Sequence, residues 1–238
     1  MIISNSKDFI FIHTHKCAGS TITDLLSPYS CWNDIELGVS TLGETLQGVY
    51  QQRFGLWKHS AARDVRNVLG DETFRAYFKF GFVRNPFFRV ISFYTFITKL
   101  HRTVVGANKE IIDTWPISKA FRESADFSEF IRHSAFVEPS MTKLLAEPYG
   151  ESFRLLVDYV GRVEHFDRDI VEVFQRIGLP PPECISPRNT SSNELQRLHQ
   201  FYSSEDDLAV VYENYRSDFE IFGYSLEDAE VDLRRPRS

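Results

Sequence analysis

The sequence predicts an α/β fold: a parallel sheet flanked by helices, with a helical insertion. Two observations lead there. Three times a short apolar run is followed by a turn and then by an amphipathic stretch, the pattern of βα units around a parallel sheet. Phe residues crowd between Phe74 and Phe96, where a buried strand and helix would pack on each other. At 238 residues the chain is long for one small domain and short for two, and it shows no internal repeat of fixed period, so one domain is expected.

The first unit is a strand over Asp8 to His13, a turn over Thr14 to Gly19, and a helix from about Ser20 to Leu26. The second is a strand over Phe78 to Val83, the turn Arg84-Asn85-Pro86, and a helix to about Lys99. Its boundary is well marked, because Asn is a good N-cap and Pro suits the first helical position. The third is a strand over Leu155 to Val163 and a helix from about Asp167 to Ile177, stopped by Gly178 and by Pro180-Pro181-Pro182. Thr103 to Gly150 carries short helical patterns, at Ile117 to Phe121 and Phe127 to Ile131, and is the predicted helical insertion. Apolar residues at helical spacing after Asn193 (Leu195, Leu198, Phe201, Tyr202, then Leu208, Val211, Tyr212, Tyr215) predict two helices around Ser203-Ser204. A single domain over residues 1–238 is expected, with a mobile charged tail over 225–238.

Composition narrows the function. Apolar residues make up 42% and charged residues 25% of the 238, as in ordinary globular proteins. A net charge of −6 argues against a protein that coats nucleic acid, so any anion site must be local. Three Cys (Cys17, Cys31, Cys184) without a CxxC pair speak against a disulfide framework or a Cys-based zinc ribbon. The first apolar run is too short for a membrane span or signal segment. A cytoplasmic, reducing location is the expectation.

The run Phe9-Ile10-Phe11-Ile12-His13-Thr14-His15-Lys16-Cys17-Ala18-Gly19-Ser20-Thr21 is a strand, a tight turn and a helix start in sequence. Unpaired N–H groups at a helix N-terminus, aided by the helix dipole, hold anions. Gly19 permits close backbone approach, Ser20 and Thr21 add hydroxyls, and Lys16 adds a point charge. The sequence departs from the nucleotide loop GxxxxGK[ST], because Lys16 stands three residues before Gly19 instead of directly before Ser or Thr. The second turn gives Arg84 at a strand end and Ser92 eight residues later in the following helix. Two turns of helix let an Arg fork and a Ser hydroxyl converge on one phosphate. In that helix Phe87, Val90, Ile91 and Tyr94 form one apolar stripe, so Arg89 and Ser92 are expected off it.

The order Lys-x-Ala-Gly-Ser-Thr after an apolar strand resembles the 5′-phosphosulfate loop of sulfotransferases that use 3′-phosphoadenosine 5′-phosphosulfate (PAPS). The likeness is to the carbohydrate branch, sulfotransferase family 2, which includes heparan sulfate 2-O-sulfotransferase. There the usual form is Pro-Lys-Thr-Ala-Gly-Thr or Ser, so His15 stands for the Pro and Cys17 for the Thr. Phe80 to Tyr94 resembles the same family's 3′-phosphate motif. Looser likenesses run through Lys58 to Arg63, Val160 to Leu179, and Pro187-Arg188-Asn189-Thr190-Ser191 with the C-terminal aromatics.

The resemblance implies a P-loop-like fold and sulfuryl transfer from PAPS to a hydroxyl, on a carbohydrate acceptor, without a metal. Lys16 would stabilise the bridging oxygen. Backbone groups of Cys17, Ala18, Gly19, Ser20 and Thr21 would hold the 5′-phosphate, Arg84 and Ser92 the 3′-phosphate, and Asn189 would also contact the donor. His59 lies where the branch carries its catalytic His, and imidazole accepts a proton near neutral pH. It is the expected general base, with Asp64 and Glu138 as substitutes. Two other enzyme-level readings follow from single features. Leu155-Leu156-Val157-Asp158 imitates a strand ending in the magnesium-binding Asp of a nucleotide kinase or hydrolase, and His13, His15 and Cys17 imitate a metal site. A binding protein that keeps the fold without turnover is a further alternative.

Overall fold

The computed structural model describes residues 1–183 and 194–225. These divide into two compact units, one of Met1–Arg84 with Met141–Asn189, the other of Asn85–Ser140 with Thr190–Ser238, as far as they are described. In chain order the first unit opens with β1 (Ile2–Ser4), β2 (Phe9–Ile12), α1 (Gly19–Leu26), β3 (Ile35–Glu36), α2 (Thr41–Phe54), α3 (Ala62–Leu69), α4 (Asp71–Ala76) and β4 (Phe78–Val83). The second unit then runs through α5 (Pro86–Thr103), α6 (Ala107–Asp113), α7 (Pro116–Glu123) and α8 (Phe127–Arg132). The chain returns to the first unit with α9 (Met141–Leu145), β5 (Ala146–Tyr149), β6 (Ser152–Leu155), β7 (Tyr159–Arg162) and α10 (Phe166–Arg176). It ends in the second with α11 (Glu194–Phe201), α12 (Glu205–Asn214) and α13 (Arg216–Phe222).

The first unit carries a sheet of order β3-β1-β2-β4-β7 among the described residues. β2, β4 and β7 are parallel, with Ile12 opposite Gly81 and Val83 opposite Arg162. β1 pairs antiparallel with both β2 and β3, so the sheet is mixed at one side. All four residues of β2 are buried, as expected of a strand covered on both faces. α10 covers β7 with Ile170, Val173 and Phe174. Gly161 is needed in β7 because a Cβ there would lie 2.5 Å from the Phe82 ring.

The expected α/β class with central parallel strands flanked by helices is present. The third strand differs. Leu155 ends the β5–β6 hairpin, and β7 begins only at Tyr159, so the apolar run Leu155-Leu156-Val157 bridges two sheets instead of forming one strand. α5 runs to Thr103 and not to about Lys99, and the C-terminal segment forms three described helices where two were expected. The tail beyond Ser225 lies outside the described residues.

The second unit packs α5 inside a shell of helices. Phe87, Val90, Ile91, Phe93 and Ile97 from α5 meet Phe130 of α8, Leu208 and Val211 of α12, and Phe219 of α13. Arg89 was expected off the apolar stripe, yet it is fully buried. Its guanidinium donates to Pro139 O at 2.7 Å, lies 3.8 Å from the Asp218 carboxylate, and sits over the Phe93 and Tyr215 rings. Pro86 to Ile91 are all buried, so in this part of the helix stripe and off-stripe positions are both interior.

Candidate active site

The carboxyl ends of β2, β4 and β7 lie at one edge of the first unit's sheet, and open α/β sheets bind ligands at such edges. Beyond β2 the chain turns through His13 to Ala18 into α1. Thr14 secures this turn by donating its hydroxyl to Phe82 O on β4. Lys16 and Ala18 both have φ near +60°, at 62° and 60°. Left-handed backbone at non-glycine residues is uncommon and concentrates at ligand clamps. Such alternation ahead of a right-handed helix curls successive N–H groups into an anion-binding concavity.

The first α1 hydrogen bond is Ile22 N–H to Ala18 O at 3.1 Å, which leaves the N–H groups of Gly19, Ser20 and Thr21 without an intrahelical acceptor. Ser20 is exposed and Thr21 and Lys16 are half-buried, so hydroxyls and ammonium can meet a ligand at this edge. Cys17 differs. Its side chain is buried, with Sγ 3.3 Å from His15 O and 3.5 Å from Met141 Sδ, so only its backbone can serve an anion. Gly19 also serves a purpose besides close ligand approach. A Cβ there would lie 2.0 Å from Cδ2 and Nε2 of His13, whose buried ring fills the space beneath the loop.

Arg84 follows β4 at the same edge, nearly buried, with its N–H donating to Met141 Sδ at 3.3 Å. Thus Met141 touches both the loop after β2 and the end of β4, a link the sequence does not advertise. Ser92 lies half-buried on α5 of the second unit, while Arg84 belongs to the first, so their convergence on one phosphate still rests on their spacing in sequence. Asn189 lies outside the described residues.

His59 is brought to the loop. Its Nδ1–H donates to His13 O at 2.7 Å, because a carbonyl can only accept. That bond fixes the tautomer and leaves Nε2 as the lone-pair nitrogen. The His59 ring lies against His15 with centroids 3.7 Å apart and 29° between planes, and edge-on to Trp57 at 5.3 Å. Burial first, then the neighbouring His15, lower its pKa from the usual imidazole value to about 2, against the His13 carbonyl bond, which raises it. His59 is therefore neutral at working pH, but less basic than the sequence argument expects. His13 is likewise held well below the ordinary value, chiefly by burial.

Ser60 accepts Trp57 N–H at 2.8 Å and closes the turn that presents His59. The cap is Asp64, whose carboxylate accepts Ala61 N–H at 3.2 Å. That occupation makes Asp64 a structural carboxylate.

Asp158 lies at the wrong end for a magnesium-dependent nucleotide enzyme. Its carboxylate accepts Lys79 N–H and pairs with Lys79 Nζ, each at 2.8 Å, ahead of β7 and near the start of β4. The loop and Arg84 stand at the opposite edge. Among the described residues no group of three or more His, Cys, Asp or Glu is placed to hold a metal ion.

A family model described as the sulfotransferase family matches residues 1–225. The chain belongs to the sulfotransferase family. It is a sulfotransferase in general chemistry, an enzyme of sulfuryl transfer to a hydroxyl-bearing acceptor. An uncharacterized protein of Archaeoglobus fulgidus is 24% identical over 116 residues, which are 49% of this chain and 80% of that protein. A sulfotransferase crystal structure from Alicyclobacillus acidocaldarius is 15% identical, covering 91% of this chain and 98% of that one, with a TM-score of 0.36. In this sulfotransferase the Lys16 loop, Arg84 and His59 occupy or border one edge of the sheet.

Proposed function

We propose that this sulfotransferase transfers the sulfuryl group of PAPS to an acceptor hydroxyl, on a carbohydrate. The observation that carries the donor assignment is the loop between β2 and α1. It offers helix-start N–H groups, two left-handed residues and a lysine to an anion. This donor set fits a phosphosulfate, and it does not require a metal to neutralise charge. The carbohydrate acceptor rests on the likeness of the two phosphate motifs to the carbohydrate branch.

Each residue has a task in the scheme. Backbone N–H groups from Cys17 to Thr21 hold the 5′-phosphate, and Arg84 with Ser92 takes the 3′-phosphate. His59 Nε2 accepts the acceptor's hydroxyl proton as the new oxygen–sulfur bond forms. Lys16 stabilises the bridging oxygen, which keeps the electron pair of the breaking sulfur–oxygen bond and leaves with adenosine 3′,5′-bisphosphate. Positioning and electrostatics carry most of the acceleration, as in phosphoryl transfer. A bound anion beside His59 also opposes the depression of its pKa, because negative charge favours imidazolium.

Titration calorimetry tests the donor assignment. Adenosine 3′,5′-bisphosphate should bind tightly and ATP weakly, and a preference for ATP would overturn it. For location, no helix among the described residues is long and apolar enough to cross a membrane. A cytoplasmic site is proposed, and recovery of the native protein chiefly in a membrane or secreted fraction would contradict it.

A further inference from the structure

The residue directly before Lys16 is His15, and its ring is stacked on the ring of His59, with centroids 3.7 Å apart and 29° between planes. Trp57 meets the pair edge-on, 5.9 Å from His15 and 5.3 Å from His59, while His13 receives the Nδ1–H of His59 through its carbonyl and touches that ring edge-on at 4.7 Å. His59 thus has one hydrogen bond that sets its tautomer and ring contacts that set its plane. Of those rings, His13 and His15 belong to the loop between the end of β2 and the left-handed Lys16, and His15 alone meets His59 face to face. Rings in offset face contact resist tilting, and reacting groups displaced by about 1 Å lose as much as a hundredfold in rate.

We infer that His15 is a positioning residue, which holds the His59 imidazole in plane and ties its orientation to the loop that grips the donor. This rests on the reading of His59 as the proton acceptor. It extends that reading, because the phosphate loop then has a second task besides holding an anion. The charged and titratable groups around His59 are His13 and His15 beside β2, Lys58 next to it in the turn, and the amine of Met1 on β1. None of these is a carboxylate that could take over the orienting role.

The test compares His15→Ala with His15→Phe, which keeps a flat ring. Two readouts are used: steady-state kinetics with PAPS and an accepting alcohol, and nitrogen-15 NMR of the His59 ring. His15→Ala should lower kcat roughly tenfold with little change in the KM for PAPS. In the same variant the His59 titration should move back up toward the ordinary imidazole range, as the ring that covers it is lost. His15→Phe should restore most of kcat and keep His59 neutral into acid. Unchanged His59 titration and kcat in His15→Ala would overturn the inference, and so would equal losses in the Ala and Phe variants. The NMR arm needs no turnover, so a His59 that moves as stated in a protein without sulfuryl transfer would sink the functional reading while leaving the positioning contact intact.

Discussion

The Nδ1–H of His59 donates to the carbonyl oxygen of His13 at 2.7 Å, which joins the turn before α3 to the exit of β2. The bond decides which nitrogen can act. Nε2 keeps its lone pair, and burial keeps it unprotonated at working pH.

His59→Ala should therefore cut turnover by roughly a hundredfold or more, the usual worth of a positioned base. Affinity for adenosine 3′,5′-bisphosphate should stay within a few-fold, because the proposed scheme gives that ligand to backbone groups and Arg84. A variant that keeps most of its turnover would hand the role to Glu138.

The same burial makes stability fall in mild acid. An unfolded imidazole takes up its proton near 6.5, whereas folded His59 does so only at about 2 and His13 well below its ordinary value. Between those limits the unfolded state binds more protons. The contribution is complete above 6.5 and is lost progressively as pH falls below it. Urea midpoints should drop as pH is lowered from about 7 to about 5, and His59→Asn should flatten the slope. Identical slopes in the two proteins would show that His59 titrates normally when folded.

Arg84 carries a different expectation. Arg84→Ala should weaken adenosine 3′,5′-bisphosphate far more than adenosine 5′-monophosphate, because only the first carries a 3′ group for the guanidinium to hold. Equal losses for both ligands would make Arg84 a structural residue at the end of β4.

Gly19 and His13 should behave as a coupled pair. Gly19→Ala puts a methyl 2.0 Å from the buried His13 ring, and overpacking of that kind costs about 1–3 kcal/mol. His13→Ala empties the space, so the double variant should be more stable than the sum of the two single losses predicts. Strict additivity in a thermal or urea melt would mean that the ring and the helix start do not press on each other.

Much of the fold was legible because its signals are local. The apolar runs of β2 and β4 and the Asn85-Pro86 start of α5 each declare themselves within a few residues, and Asn85 does cap α5 by accepting Phe87 N–H. The errors come from distant contacts. Arg89 looks like a solvent-facing residue until the helices that supply Asp218 and Tyr215 are folded over it. The run Leu155 to Asp158 has strand-like composition, but Leu155 is claimed by β5 and Asp158 by Lys79. At the site, Lys16, Gly19 and Arg84 were marked by residue type and spacing. The stack of His15 on His59 was not, because it depends on a left-handed turn at Lys16 and on a segment more than forty residues away, between His15 and His59.

The most direct test of the account is incubation with sulfur-labelled PAPS and a panel of glycans and small alcohols, for the parent chain and for Lys16→Ala. Label should appear on an acceptor hydroxyl, matched by release of adenosine 3′,5′-bisphosphate, and Lys16→Ala should lose the transfer. Tight bisphosphate binding without a labelled product on any acceptor would contradict it, leaving a protein that binds the nucleotide but does not turn it over.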